Sequence, residues 1–169
     1  MPDGKSFLES LSRQYAEFGC SNIIVVLNKE GIQNVQNHQL KLPSQTQIIL
    51  NHHPEFGRFH SIKCGLKTVS KHWFFIHNID NPFAKRDMLE QLFQEKSDAD
   101  VVKPVINGKG GHPVLFSRKV RDSILNERKN DYNLKVFLTA FKSKEVTVRD
   151  ETILINLNTY EEYLEFYRR

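Results

Sequence analysis

Apolar positions along this chain show two different patterns, helical spacing and continuous runs. Over Phe7–Phe18 the apolar residues recur every three or four positions and Gly19 follows, which predicts an amphipathic helix with a glycine C-cap. Three continuous apolar runs are instead typical of strands that are covered on both faces: Ile23–Leu27, residues 48–50 and Trp73–Ile76. Helices and strands are therefore expected to follow one another along the chain.

Both patterns also occur in the second half of the chain. Helical spacing predicts a helix that contains Ile62, Leu66 and Val69, a helix that begins near Ala84, and helices over residues 120–126 and 134–141. Thr159 followed by Glu162 predicts a capping box for a last helix. Shorter apolar runs predict further strands at residues 101–102, 113–116, 146–148 and 153–155, with a glycine-rich turn over residues 107–111.

This order of elements predicts an α/β fold with a mostly parallel sheet and helices on both of its faces. No linker or low-complexity tract divides the 169 residues, so one domain over residues 1–169 is expected. In such folds ligands bind beyond the carboxyl ends of the strands. Polar residues that directly follow an apolar run are therefore the first candidates for chemistry.

Composition narrows the class of protein. The net charge of +4 comes from basic and acidic residues scattered along the whole chain, so a nucleic-acid partner is not expected. The two cysteines do not form a C-x-x-C motif, and the apolar runs are too short to cross a bilayer. A cytoplasmic protein that acts on phosphorylated small molecules, away from membranes, fits these features.

Asp80 is the strongest candidate for a catalytic residue and metal ligand. It follows the run Trp73–Ile76 and should stand at the ligand-binding edge of the sheet. Mg²⁺ takes few protein oxygens and completes its shell with substrate phosphates and water, so one aspartate at a strand end suits it. The alternative is that Asp80 is a turn residue that caps the helix near Ala84.

Two further segments follow strands. Asn156 and Asn158 carry amide oxygens that could join Asp80 on the metal, although Asn158 or Thr159 could instead simply cap the last helix. His112 and Pro113 follow a pair of glycines, which permit close backbone approach to a ligand, while His112 could bind a phosphate. The alternative there is a tight hairpin with a histidine on the surface.

Five segments in this order resemble the MobA-like NTP transferases, which include the molybdenum cofactor guanylyl- and cytidylyltransferases. They are residues 3–9, Asn51 with residues 57–66, the IDNP sequence at 79–82, the GHPVLFSR sequence at 111–118 and the NLNT sequence at 156–159. The resemblance implies a three-layer, Rossmann-like nucleotidyltransferase fold with a mixed sheet. It also implies transfer of NMP from an NTP, with CTP or GTP expected, to a phosphorylated acceptor such as molybdopterin, with release of pyrophosphate.

The resemblance also implies roles for individual residues. Asp80 matches the Mg²⁺ ligand of the family, with Asn156 or Asn158 as the second residue on the metal side. The segment that approaches the base and ribose corresponds to three residues: Ser61, Ile62 and Gly65. His112 and Pro113 match the loop on the acceptor side.

The resemblance implies that the first strand of the family and its glycine-rich loop, which carries the nucleotide phosphates, should lie before Pro2 and are missing from residues 1–169. Two hypotheses follow for residues 1–169. The chain is an N-terminally shortened nucleotidyltransferase domain, or it is a non-catalytic remnant or binding module of the same fold. Arg58 and Lys63 are the alternative basic residues for a triphosphate.

Overall fold

The computed structural model describes residues 4–168, which form an α/β fold. The helices in this part of the chain are α1 (Phe7–Phe18), α2 (Lys29–Asn37), α3 (Gly57–Leu66), α4 (Arg86–Gln94), α5 (Arg118–Asn126), α6 (Leu134–Leu138) and α7 (Tyr160–Arg168). The strands are β1 (Ile23–Leu27), β2 (Thr46–Leu50), β3 (Trp73–Ile76), β4 (Val101–Ile106), β5 (Lys109–Gly110), β6 (Val114–Ser117) and β7 (Ser143–Thr147). Short 3-10 helices span Pro54–Phe56 and Glu151–Leu154.

Helix α1 has the bounds that the apolar spacing predicts. Ser6 begins it with a capping box, in which its Oγ accepts from the N–H of Glu9 at 3.2 Å and its own N–H donates to the Glu9 carboxylate at 2.9 Å. Gly19 ends it with a φ of 102°, a conformation that suits glycine. Leu11 and Tyr15 on its inner face are buried, so the predicted helix is confirmed.

The strands form two sheets. In the first, β1 and β2 are parallel, with Val25 opposite Ile48. In the second the order is β3-β6-β4-β5, and β7 also pairs with β4. There β7 is parallel to β4, but β6 is antiparallel to both β3 and β4, so the second sheet does not have the mostly parallel character expected. The connection from Ile106 to Val114 is too short for a crossover, and β6 therefore returns antiparallel.

Helix α1 packs beneath both sheets and joins them. One buried cluster contains Leu11 and Tyr15 of α1 together with Ile23 of β1, and Phe75 of β3 packs against it. Within residues 4–168, β1 pairs only with β2 and β3 pairs only with β6. The core therefore continues from one sheet to the other although no backbone ladder connects them.

Several elements differ from the sequence prediction. Residues 153–155 lie in and after a 3-10 helix rather than in a strand, because the Asp150 side chain accepts from the N–H of Thr152 at 3.0 Å and turns the chain. Helix α2 was not predicted, since it is polar and buries no residue. Helix α6 ends at Leu138, earlier than residue 141. None of the helices within residues 4–168 combines the length and apolar content of a membrane span.

Candidate active site at the end of β3

The pairing of β3 with β6 brings two candidate segments together. Ile76, the last residue of β3, lies opposite Val114, the first residue of β6. The polar residues that follow β3 therefore lie beside His112, which precedes β6. The proximity of the polar residues after β3 to the GHP segment is a direct consequence of this antiparallel register.

A buried polar network holds the chain directly after β3. The Tyr15 hydroxyl lies 2.9 Å from His77 Nδ1, and His77 Nε2 lies 3.2 Å from Asn81 Oδ1. With Tyr15 donating to Nδ1, His77 carries its proton on Nε2 and donates to Asn81. The Asn81 side chain is fully buried and donates to the carbonyls of Thr152 and Ile153, both at 3.1 Å. This network fixes the turn that contains Asp80 against the 3-10 helix Glu151–Leu154.

Both histidines at this end of the sheet stay neutral at physiological pH. Burial lowers the pKa of His77 to about 3, and the hydrogen bond to Asn81 only partly opposes that shift. The pKa of His112 is lowered to about 4, first by burial and then by the positive charge of Arg58. The two rings stack with their centroids 5.9 Å apart and an angle of 21° between their planes.

Asp80 lies in the turn after β3, where its Oδ1 atom is buried and has no hydrogen-bond partner among the described residues. It does not cap α4, because that helix begins at Arg86 with Lys85 as its N-cap. The alternative of a helix-capping aspartate is therefore wrong. A carboxylate oxygen held out of water without a donor is a suitable first ligand for a hard cation.

The backbone brings Asn156 and Asn158 next to Asp80. The N–H of Leu157, between the two asparagines, donates to the Asp80 carbonyl at 2.7 Å. Both asparagine side chains are exposed. The N-terminus of α7 is capped by Thr159, whose Oγ1 accepts from the N–H of Glu162 at 3.1 Å, which confirms the predicted capping box. A metal-binding role for the two asparagines stays a prediction.

A divalent cation fits this set of donors only with help from a substrate. Within the described residues there is no group of three or more His, Cys, Asp or Glu side chains that could hold a metal ion. Asp80 and the amide oxygens of Asn156 or Asn158 would offer a cation only a sparse set of oxygen ligands. Mg²⁺ in general tolerates such a set, because it retains water and takes substrate phosphate oxygens as its remaining ligands.

The residues matched to the nucleotide lie on α3, where two have clear structural roles. Ser61 Oγ accepts from Asn51 Nδ2 at 3.0 Å and donates to the Gly57 carbonyl at 3.3 Å. A Cβ at Gly65 would lie 3.0 Å from Val26 Cγ2, so the glycine lets α3 approach β1. Ile62 packs against the core beside α5. Nucleotide binding by these three residues stays a prediction.

The glycine pair before His112 approaches protein backbone. A Cβ at Gly111 would lie 2.4 Å from the Ile153 carbonyl oxygen, and the N–H of His112 donates to that oxygen at 3.0 Å. The hairpin formed by β4 and β5 turns at residues 107–108, before the glycine pair, and not at residues 110–113. His112 is only partly exposed and Pro113 is buried, so the alternative of a surface histidine is wrong. Acceptor binding by the two residues stays a prediction.

Basic residues from two helices act on the same site. Arg58, at the start of α3, interacts electrostatically with Asp80 and His112, and Lys135 of α6 interacts with His112. Lys63 does not take part, because its Nζ donates to the Glu127 carbonyl at 2.7 Å and to Asn130 Oδ1 at 3.1 Å. Of the two alternative basic residues, only Arg58 lies at the candidate site.

Sequence reasoning assigned no function to Tyr15, Asn81 or Lys135. Tyr15 and Asn81 support the site. The sequence pattern does not distinguish them, because Tyr15 occupies one more apolar position of α1 and Asn81 is part of a turn. Lys135 lies about fifty positions from Asp80 along the chain, and only the packing of α6 on α3 brings it near. A polar residue directly after a strand, such as His77, was the one usable signal.

Comparisons with known proteins agree with this architecture. A crystal structure of Rv0371C from Mycobacterium tuberculosis H37Rv in complex with manganese has a TM-score of 0.79 at 15% identity, and the match covers 96% of this chain and 87% of that chain. HddC from Yersinia pseudotuberculosis complexed with GMP-PN has a TM-score of 0.71 at 17% identity, covering 96% and 84%. Molybdopterin-guanine dinucleotide biosynthesis protein A from Archaeoglobus fulgidus has a TM-score of 0.68 at 18% identity, covering 96% and 84%.

At these identities the three structures establish a shared fold. No curated protein matches the chain significantly. The sequence profile of the MobA-like NTP transferase domain, however, matches residues 1–146. Since this match spans most of the 169 residues, the chain belongs to the family of MobA-like NTP transferase domains, whose members are nucleotidyltransferases.

Proposed function

We propose that this chain transfers an NMP group from an NTP, with CTP or GTP as donor, to a phosphorylated acceptor such as molybdopterin, and that it uses Mg²⁺. The observation that carries the proposal is the buried Oδ1 atom of Asp80 at the end of β3, which has no hydrogen-bond partner within residues 4–168, in a chain of this family. A buried carboxylate oxygen without a donor is costly unless it binds something.

In the proposed reaction an acceptor phosphate oxygen attacks the α-phosphorus of the NTP. The new P–O bond forms while the bond to the bridging oxygen of the β-phosphate breaks, and pyrophosphate leaves. Bound Mg²⁺ supplies stabilisation of the charge that spreads over the transferring phosphate. Asp80 with Asn156 or Asn158 holds the ion, and the protein otherwise contributes position.

The two substrates bind to different walls of the proposed site. Ser61, Ile62 and Gly65 on α3 form the wall for the base and ribose. His112 and Pro113 form the wall for the acceptor. The packing supports this division, because the β3–β6 register puts His112 beside the residues that follow β3, while α3 reaches the same region through Arg58.

We further propose that the complete sheet has a strand between β1 and β3. Support comes from the apolar side chains of these two strands, which are mostly only half-buried, while α1 packs beneath both. A strand there would pair with both open edges and cover those side chains. The glycine-rich loop that the family resemblance implies would follow this strand and hold the nucleotide phosphates.

The alternative function is a non-catalytic binding module of the same fold. It is favoured by the hydrogen bonds that already occupy the Ser61 hydroxyl. Such a module would bind Mg-NTP in calorimetry but release no pyrophosphate when a phosphorylated acceptor is added. In-frame translation of the DNA upstream of Met1 separates the two hypotheses further, since a strand and glycine-rich loop encoded there support the enzyme.

The direct test of the enzyme is pyrophosphate release by the Asp80→Asn protein in the presence of CTP or GTP, Mg²⁺ and molybdopterin. Asparagine keeps the shape and removes the charge, so turnover should fall by about two orders of magnitude or more while the fold survives. Asp98→Asn, which changes an exposed aspartate in the loop between α4 and β4, is the matched control and should keep normal turnover. Normal turnover of Asp80→Asn would remove Asp80 from the mechanism.

A further inference from the structure

The hydrogen bond from Asn78 defines the tautomer of His112. Asn78 Nδ2 lies 3.3 Å from His112 Nε2 and can only donate, so Nε2 accepts. Because the pKa of His112 is about 4, the ring is neutral at pH 7 and its single proton is on Nδ1. Nδ1 is buried and has no hydrogen-bond partner among the described residues. The site therefore contains an N–H donor without an acceptor.

Two cationic side chains, Arg58 and Lys135, act electrostatically on this ring. Arg58 is next to Phe59, whose ring centroid is 5.3 Å from Phe137 and 5.9 Å from Tyr132. These contacts pack the first turn of α3 against α6 and its preceding loop, so the helices that carry Arg58 and Lys135 are neighbours. Both cations lower the pKa of His112, which agrees with this placement.

Within residues 4–168, neither cation is neutralised by an ion pair. No acidic oxygen within residues 4–168 lies within 4.0 Å of the Arg58 or Lys135 charge, although both are within electrostatic range of the site. Counting Arg58, Lys135, Asp80 and neutral His112, the cluster has a net positive charge even before a metal binds. Two cations and one N–H donor suit a compact dianion with several acceptor oxygens.

We infer that Arg58, Lys135 and the Nδ1–H group of His112 form a binding site for a phosphate group beside Asp80. The phosphate oxygens accept from His112 and from the two cationic side chains. The inference depends on the proposed function only for the identity of the molecule that carries the phosphate, which is either the acceptor or the NTP.

The first test is calorimetric titration of the full chain with inorganic phosphate at pH 7.5 without metal. Arg58→Gln and Lys135→Gln should each raise the Kd at least about tenfold, since each removes a charge-assisted hydrogen bond. Lys29→Gln, an exposed lysine of α2, is the control and should change the Kd less than about twofold. No phosphate binding by the wild type, or equal binding by all variants, would overturn the site.

Competition experiments identify the source of the phosphate. Displacement of inorganic phosphate by glycerol 3-phosphate but not by an NTP assigns the site to the acceptor, and the reverse assigns it to the donor. Either result supports the site. These measurements need no turnover, so they are independent of the Asp80→Asn assay, and an inactive chain that still binds phosphate through Arg58 and Lys135 would refute only the proposed function.

A measurement on the unmodified protein covers the case in which a variant fails to fold. In ¹⁵N spectra of the histidine rings, His112 should show its proton on Nδ1, and phosphate should shift that nitrogen while leaving His38 of the α2 C-cap unchanged. A proton on Nε2 of His112, or an unchanged His112 signal at saturating phosphate, would contradict the inference.

Discussion

The two sheets of this protein differ in how completely they are covered. In the sheet of β3, β6, β4 and β7, Val102 and Leu115 are fully buried and Phe116 is 1% exposed. In the β1–β2 sheet only Ile23 is buried, and α2 beside it buries no residue. A parallel pair of strands needs cover on both faces, and the described residues supply it for one sheet much better than for the other.

The difference extends to polar groups. At the end of β3 the protein buries Asn81 completely, with its amide hydrogen bonds satisfied, and keeps His77 neutral between Tyr15 and Asn81. A satisfied buried network makes the local structure specific. The candidate site therefore rests on the well-packed sheet, while the less covered sheet contributes α3 as its opposite wall.

The largest expected effect comes from matched leucines, one in each sheet. Leu115→Ala should lower the free energy of unfolding by about 2–5 kcal/mol, because the side chain is fully buried in the β6 core. Leu50→Ala, at a half-buried position of β2, should cost less than half of that. Urea unfolding of both variants measures the two values. Equal losses would show that the two sheets are equally well packed.

The pH dependence of the free energy of unfolding should also come from the better-covered sheet, the one that contains β3, β6, β4 and β7. The folded pKa values of His77 and His112, about 3 and about 4, lie below the ordinary value of 6.5. The unfolded chain therefore takes up protons first, so stability is complete above about pH 6.5 and is lost as the pH falls towards those folded values. By pH 5 each histidine should cost about 2 kcal/mol.

Urea midpoints between pH 7 and pH 5, together with NMR titration of the histidine rings, measure this effect. His38→Gln, which changes an exposed histidine of the other half, should leave the slope unchanged. Titration of His77 and His112 close to pH 6.5, with a flat stability profile, would contradict the burial of this network.

A smaller effect is expected from neighbouring glycines in the hairpin segment. Gly111→Ala puts a Cβ 2.4 Å from the Ile153 carbonyl oxygen, so it should cost about 1–3 kcal/mol and displace the 3-10 helix that Asn81 holds. At Gly110 the nearest atom to the new Cβ is 3.7 Å away, so Gly110→Ala should be nearly neutral. Thermal unfolding compares the pair, and a neutral Gly111→Ala would show that this contact is loose.

The sequence predicted the elements whose own residues determine them. Helix α1 was predicted to its last residue because its apolar spacing and Gly19 act locally. The antiparallel direction of β6 was not predicted, because it depends on the length of the connection from β4 as well as on the residues of the strand itself. Helix α2 is not predictable from apolar spacing because it buries no residue. Residues 153–155 do not form the predicted strand, because the Thr152 N–H donates to the Asp150 carboxylate and this local turn outweighs the apolar run.

The candidate site was predictable in part for the same reason. Asp80 and His112 stand next to strand ends, where polar residues are conspicuous, and β3–β6 pairing puts them in one region. Arg58 and Lys135 stand on helices with many other basic residues, so nothing local distinguishes them. Only the tertiary structure, in which Phe59 of α3 packs against Phe137 of α6, brings their two helices together.

The most direct measurement of the central claim is Mn²⁺ binding followed by paramagnetic broadening of backbone amide signals. We predict that Mn²⁺ first broadens the amides of Asn81 and Leu157, which flank Asp80 in the turn and across the 2.7 Å hydrogen bond. Asp80→Asn should abolish this pattern, and Asp98→Asn should preserve it. Broadening centred elsewhere, or unchanged in Asp80→Asn, would contradict the assignment of the metal to the end of β3.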